Sequence, residues 1–61
     1  MKNLKKRREE VGLTKEQLGE KLGITRQAIS AYEIGSREPG RTIIKLLAEV
    51  LGCTADYLLE E

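Results

Sequence analysis

One three-residue pattern, a glycine followed by an apolar residue and a threonine, limits this chain to short helices joined by tight corners. The pattern occurs three times, at Gly12-Leu13-Thr14, Gly23-Ile24-Thr25 and Gly52-Cys53-Thr54. Glycine readily adopts the left-handed conformation that ends many helices, and a threonine hydroxyl accepts a hydrogen bond from a free N–H at a helix start. Each copy therefore predicts one helix end followed directly by a new helix.

The remaining breaks complete a map of helices. Gly35 follows another apolar-periodic stretch, and Pro39 lies in the polar segment 35–40. Gln17 stands three residues after Thr14 and predicts a capping box. No segment alternates apolar and polar residues as a strand would. We predict one all-α domain over residues 1–61, with helices at about 2–11, 15–22, 26–34, 42–51 and 55–59.

Apolar residues at helical spacing supply one small core. The expected members are Leu4, Val11, Leu13, Leu18, Leu22, Ile24, Ala28, Ile29, Tyr32, Ile43, Ile44, Leu47, Val50, Leu51, Leu58 and Leu59. Leu46 and Tyr57 are less certain members.

Composition excludes most catalytic and metal sites. The chain of 61 residues has no histidine and one cysteine, Cys53. An internal disulfide, a Cys/His zinc site and a Ser-His-Asp triad are therefore ruled out, and Cys53 has no histidine base. We expect no enzyme activity, metal or other cofactor. The single thiol and the absence of a hydrophobic signal or membrane segment predict a cytoplasmic protein.

Charge is unevenly distributed, although the formal net charge is only +1. Residues 1–45 hold all 11 Lys and Arg against six acids, a local +5, whereas residues 46–61 hold four acids and no base, a local −4. This polarity suits a cationic surface facing a polyanion. Charge alone favours the alternative, an ordinary solvated surface with an acidic tail.

The predicted third helix has an outer face with little charge. At ~100° per residue, Ala28, Ile29 and Tyr32 point toward the core. The opposite face carries Gln27, Ser30, Ala31 and Ile34, with Arg26 at its edge. Amides, hydroxyls, arginine and small apolar groups are those that recognise base edges in the major groove of DNA. The alternative is a short helix whose exposed residues happen to be non-ionic.

The predicted second helix contains Gly19, which costs ~1 kcal/mol relative to alanine and indicates close backbone approach. Gly23 then supplies a tight turn, and Thr25 caps the next helix. A small residue where two helices cross, a glycine turn and a capped helix are typical of a helix-turn-helix.

Two blocks of the chain carry a family resemblance. Residues Leu13–Glu33 resemble the DNA-binding core of the phage repressor and Cro type of helix-turn-helix regulators, often called XRE-like, and Leu51–Leu59 resembles the end of that domain. The resemblance implies a lambda-repressor-like, five-helix domain that binds double-stranded operator DNA, usually as a homodimer on a pseudo-palindrome. We expect a sequence-specific transcriptional regulator of repressor type, with no membrane partner and no small-molecule effector.

The resemblance also assigns roles to individual residues. The base-facing positions fall on Arg26, Gln27, Ser30 and Ala31. The start of the second helix, which in the family abuts the phosphate backbone, carries Thr14, Lys15 and Gln17. Arg8 and Glu33 match a pair that in some members joins helices one and three.

Further phosphate contacts are expected from Arg37 and Arg41, with backbone N–H groups near Gly40 and with Lys5 or Arg8 as additional candidates. The chain departs from the family at three positions. Lys15 stands where glutamine is frequent, Arg7 where leucine is frequent, and Arg41 where an apolar residue is frequent.

Two recognition helices must lie about one DNA turn apart, ~34 Å, which requires a dimer. Leu46 and Tyr57 are the candidate interface, unless Tyr57 only closes the monomer core. The alternative function is an antitoxin or another helical protein-interaction module that also binds DNA. The chain ends soon after the fifth helix without an extra partner-binding segment, which favours DNA binding alone.

Overall fold

The computed structural model describes residues 1–60 and contains five α-helices. They are α1 (Lys2–Val11), α2 (Lys15–Leu22), α3 (Arg26–Ile34), α4 (Arg41–Leu51) and α5 (Ala55–Leu59). The predicted all-α class and four of the five predicted ranges are confirmed. Helix α4 begins one residue early because extended Gly40 (φ −69°, ψ 173°) is its N-cap. The predicted domain runs to Glu61, which lies outside the described residues.

The three glycine-apolar-threonine corners form as predicted. The Oγ1 atoms of Thr14, Thr25 and Thr54 accept hydrogen bonds from backbone N–H groups three residues ahead, at 3.0, 3.1 and 3.0 Å. Gln17 Oε1 accepts from the Thr14 N–H at 2.9 Å and completes the capping box. The three corner glycines have φ of 86°, 72° and 67°, so each helix ends in the left-handed region.

The core lies between the five helices: α2 packs on α3 and α4, and α1 packs on α3, α4 and α5. Its fully buried side chains are Leu4, Leu18, Ile29, Leu47, Leu51 and Leu58. Ala28, Tyr32, Ile44 and Ala48 complete the buried set. Of the other predicted members, Leu13, Leu22, Ile24, Ile43, Val50 and Tyr57 are partly buried against this core.

Two core assignments were wrong and one buried residue was missed. Val11 is 41% exposed and Leu59 is 60% exposed. Neither side chain packs against the core cluster, so helical spacing alone did not place them inside. Ala48 is buried, although its small side chain did not lead us to predict a core position.

Polar side chains of α1 tie it to the C-terminal helices. Asn3 Nδ2 donates to the carbonyl of Tyr57 at 2.8 Å. Arg7 Nε donates to the carbonyl of Leu51 at 2.7 Å. Arg7 thus satisfies a free carbonyl at the end of α4, where a cation is also favourable, and its aliphatic stem stands where the family often has leucine. Among the helices described, none has the length and apolar character needed to cross a membrane.

Candidate nucleic-acid interface

Helices α2 and α3 meet at the backbone of Gly19. A Cβ added there would lie 2.6 Å from the carbonyl oxygen of Ile24 and 3.3 Å from the carbonyl carbon of Thr25. The Ile24 N–H donates to the carbonyl of Gly19 at 2.9 Å, which holds the turn against α2. The predicted close approach is therefore present, and α2, the turn at Gly23 and α3 form a helix-turn-helix.

Helix α3 is oriented as its sequence pattern predicts. Ala28, Ile29 and Tyr32 are buried. On the opposite side, Arg26, Gln27 and Ile34 are exposed, and Ser30 and Ala31 are half-buried. The four residues expected to face bases therefore all reach the surface, three of them on one face and Arg26 at its edge in the first turn. Ile34, which lies on the same face, is 77% exposed.

Lys15 connects the start of α2 to that face. Its Nζ donates to Ser30 Oγ at 3.3 Å in a partly buried contact. Lys15 and Arg26 also line one open depression, together with Arg8, Thr14 and Glu16. The structure therefore brings a residue expected at the phosphate backbone into direct contact with one expected at the bases.

Arg8 and Glu33 form the ion pair that the family resemblance implies. Arg8 Nε donates to Glu33 Oε2 at 2.6 Å and Nη2 donates to Oε1 at 3.4 Å. Arg8 Nη1 donates to the carbonyl of Leu13 at 2.8 Å. Arg8 is 7% exposed, so its expected role as a possible phosphate contact is wrong: its charge is buried and already neutralised.

Three other residues expected at phosphates, Thr14, Gln17 and Arg41, lie at helix starts. Thr14 and Gln17 are exposed, although their side chains also serve the capping box. Arg41 is exposed at the start of α4, whose N-cap Gly40 offers no side-chain hydrogen bond to the first turn. First-turn N–H groups without a cap are free to bind an anion.

Arg37 is held over an aromatic ring beside the C-terminal end of α3. Its guanidinium carbon lies 5.8 Å from the centre of the Tyr32 ring, within the range of a cation–π contact. Arg37 is nevertheless exposed, so its charge stays accessible to a polyanion.

The expected interface residues lie in different surroundings. Leu46 is 38% exposed. Tyr57 is half-buried and lines a shallow depression with Arg7, Glu10, Gly52 and Cys53, a depression that does not include Leu46. Leu59, which was expected in the core, is instead exposed on α5 and lines a second depression with Met1 and Pro39 among others.

Cys53 has the properties of a structural thiol. Burial raises the pKa of the Cys53 thiol, and the positive charge of Arg7 offsets only part of that rise. A raised pKa keeps the thiol protonated and weakly nucleophilic. Within residues 1–60, no group of three or more His, Cys, Asp and Glu side chains is placed to hold a metal.

Comparison with known proteins places this geometry in a family. Residues 4–58 match the family model described as helix-turn-helix. An uncharacterized HTH-type transcriptional regulator of Bacillus subtilis (strain 168), YqaE, is 47% identical over 58 residues, which are 95% of this chain and 50% of that protein. The prophage-derived HTH-type regulator YonR of the same organism is 40% identical over 57 residues, 93% of this chain and 53% of that protein. The chain thus spans about half the length of these two relatives.

A solved structure shares the whole arrangement. The P22 c2 repressor protein, crystallised with a synthetic operator, superposes with a TM-score of 0.92 and 30% sequence identity. The superposition covers 97% of this chain and 89% of that one. The five helices, the close approach at Gly19 and these relatives together show the family. The chain belongs to the XRE-like helix-turn-helix family, which includes the phage repressor and Cro type.

Proposed function

We propose that this chain is the sequence-specific DNA-binding domain of a transcriptional regulator of repressor type, and that α3 enters the major groove of operator DNA. The observation that carries the proposal is the outer face of α3, where non-ionic side chains reach the surface while the Gly19 corner holds the helix against α2. The naming of the relatives as transcriptional regulators, and the operator bound to the P22 c2 repressor, support it. Because the two relatives named above are bacterial, and bacterial DNA lies in the cytoplasm, we propose that this chain works in the cytoplasm.

The first group of contacts distinguishes base pairs. Gln27 is suited to adenine and Arg26 to guanine, because each can make two hydrogen bonds to its base. Ser30 hydrogen-bonds a base edge, and Ala31 packs on a thymine methyl group. Each good two-hydrogen-bond contact is worth ~1–3 kcal/mol of discrimination against the wrong base.

The second group of contacts binds the phosphate backbone, and a phosphate contact by itself carries no sequence information. The cations are Lys15, Arg37 and Arg41. Uncharged contacts come from Thr14, Gln17 and the backbone near Gly40, where the start of a helix attracts an anion. Each neutralised phosphate steepens the dependence of log K on log salt by ~0.9.

The active form we propose is a homodimer, since two copies of α3 must reach successive major grooves. Leu46 and Tyr57 remain the proposed interface, and the exposed Leu59 joins them as a candidate. Sedimentation of the protein with and without operator tests this assembly. A complex containing one protein copy per operator would rule the homodimer out.

Selection of bound sequences from random duplexes at fixed salt tests the main proposal. We expect a pseudo-palindromic consensus. On that consensus, Gln27→Ala is expected to reduce discrimination between bases, whereas Arg41→Ala is expected to weaken all duplexes alike and lower the salt slope by ~0.9. Lys6→Ala is the charge-matched control, because Lys6 is exposed on α1, a helix that carries none of these proposed phosphate contacts. A selection without any consensus would refute sequence-specific binding.

A further inference from the structure

The hydrogen bond between Lys15 and Ser30 points to a more specific role for both residues. We propose that Lys15 makes Ser30 a hydrogen-bond donor toward DNA. The base that Ser30 contacts must then accept a hydrogen bond at its major-groove edge, so guanine is preferred to cytosine at that position. This inference rests on the proposed function and concerns one base position within the operator.

The chemistry of the two groups restricts what Ser30 can do. A lysine ammonium only donates, whereas a serine hydroxyl has one proton to donate and two lone pairs to accept. Because Lys15 Nζ donates to Ser30 Oγ, one lone pair is occupied. Across residues 1–60, Ser30 Oγ donates to no acceptor in the protein. The hydroxyl proton therefore remains available for a base.

The charge on Lys15 acts in the same direction. The ammonium nitrogen lies 3.3 Å from Ser30 Oγ. A second N–H donor approaching the remaining lone pair would meet this positive charge, which disfavours the amino group of cytosine. Guanine offers only acceptors in the major groove, its N7 and O6 atoms, and is favoured by the same charge.

Lys15 keeps two further N–H donors after its bond to Ser30. They remain free for a phosphate oxygen, so Lys15 links a backbone contact to a base contact. This differs from a lysine that only neutralises a phosphate, which would strengthen binding to every sequence equally. The distinction is measurable.

The experiment measures affinity for the selected operator and for duplexes with each of the four bases at every half-site position, at one salt concentration. The variants are Lys15→Met, Ser30→Ala and the double variant, with Lys21→Met as the charge-matched control. Circular dichroism checks that each is folded. Lys15→Gln, which removes the charge but retains N–H donors by introducing an amide, replaces Lys15→Met if the latter does not fold.

At one position, the wild-type protein is expected to bind guanine about fivefold more tightly than cytosine, the effect of one hydrogen bond. Lys15→Met and Ser30→Ala should each remove that preference at the same position, the double variant should remove no more, and Lys21→Met should retain it. Lys15→Gln should reduce it.

Two results would overturn the inference. The first is a Lys15 variant that weakens all duplexes equally and keeps the guanine preference. The second is a wild-type preference for cytosine at the position that Ser30→Ala affects. Either result would leave DNA binding intact, whereas wild-type protein without sequence preference would instead contradict the proposed function.

Discussion

Replacing Gly19 with alanine tests whether the corner between α2 and α3 depends on backbone contact. The added Cβ would lie 2.6 Å from the carbonyl oxygen of Ile24, well inside normal contact distance. The obstructing atoms belong to the backbone, and the same turn is held by the 2.9 Å hydrogen bond from Ile24 N–H to the Gly19 carbonyl. A side-chain rotation therefore cannot relieve the overlap.

Two opposing effects set the expected magnitude. Overpacking a rigid site costs about 3 kcal/mol, the upper end of the usual range, because backbone must move. Alanine returns about 1 kcal/mol through its better helix propensity at a mid-helix position. The free energy of unfolding should therefore fall by about 2 kcal/mol. In a domain of this length, that corresponds to a decrease in melting temperature of roughly 8–16 °C.

Denaturant and thermal unfolding followed by circular dichroism measure this loss. Gly40→Ala is the matched control, since Gly40 has negative φ and a Cβ there would contact nothing within 4 Å. We expect Gly40→Ala to change stability by less than about 0.5 kcal/mol, because reduced unfolded-state entropy offsets a poorer N-cap. Gly19→Ala protein as stable as wild type would refute the close-approach explanation and leave helix propensity as the dominant effect.

Three further perturbations test other contacts. Glu33→Ala should destabilise the protein by about 3–5 kcal/mol, because it leaves buried Arg8 charged and unpaired. A thermal unfolding midpoint equal to that of Glu10→Ala, which removes an exposed carboxylate, would contradict this. Thr25→Ala should cost about 1 kcal/mol in denaturant unfolding through the lost α3 cap, and an unchanged midpoint would show that the cap contributes nothing. Burial raises the pKa of the Cys53 thiol, so less of it is thiolate in the folded protein than in the denatured chain. The folded protein should therefore react with iodoacetamide more slowly, and equal rates would contradict the raised pKa.

The helix ends were predictable because they depend on local chemistry. A threonine hydroxyl reaches an N–H three residues away, and a glycine ends a helix through its own φ. The orientation of α3 followed from its periodicity alone. For the candidate site, this established which residues reach the surface, although not what each of them touches.

Contacts between distant residues were less predictable. The bond from Arg7 to the carbonyl of Leu51 joins residues 44 apart. The bond from Lys15 to Ser30 spans 15 residues. Both depend on how the helices pack, as does the exposure of Leu59, where an apolar residue at helical spacing lies beyond the edge of the core.

Helix α3 is anchored near both of its ends. Near its start the turn rests on Gly19, and near its end Glu33 is held by the guanidinium of Arg8. A helix fixed in both places cannot rock to follow the groove of an imperfect site. In the proposed complex with DNA, the duplex should then twist or bend to meet α3, and base pairs that no side chain touches should influence affinity through their stiffness.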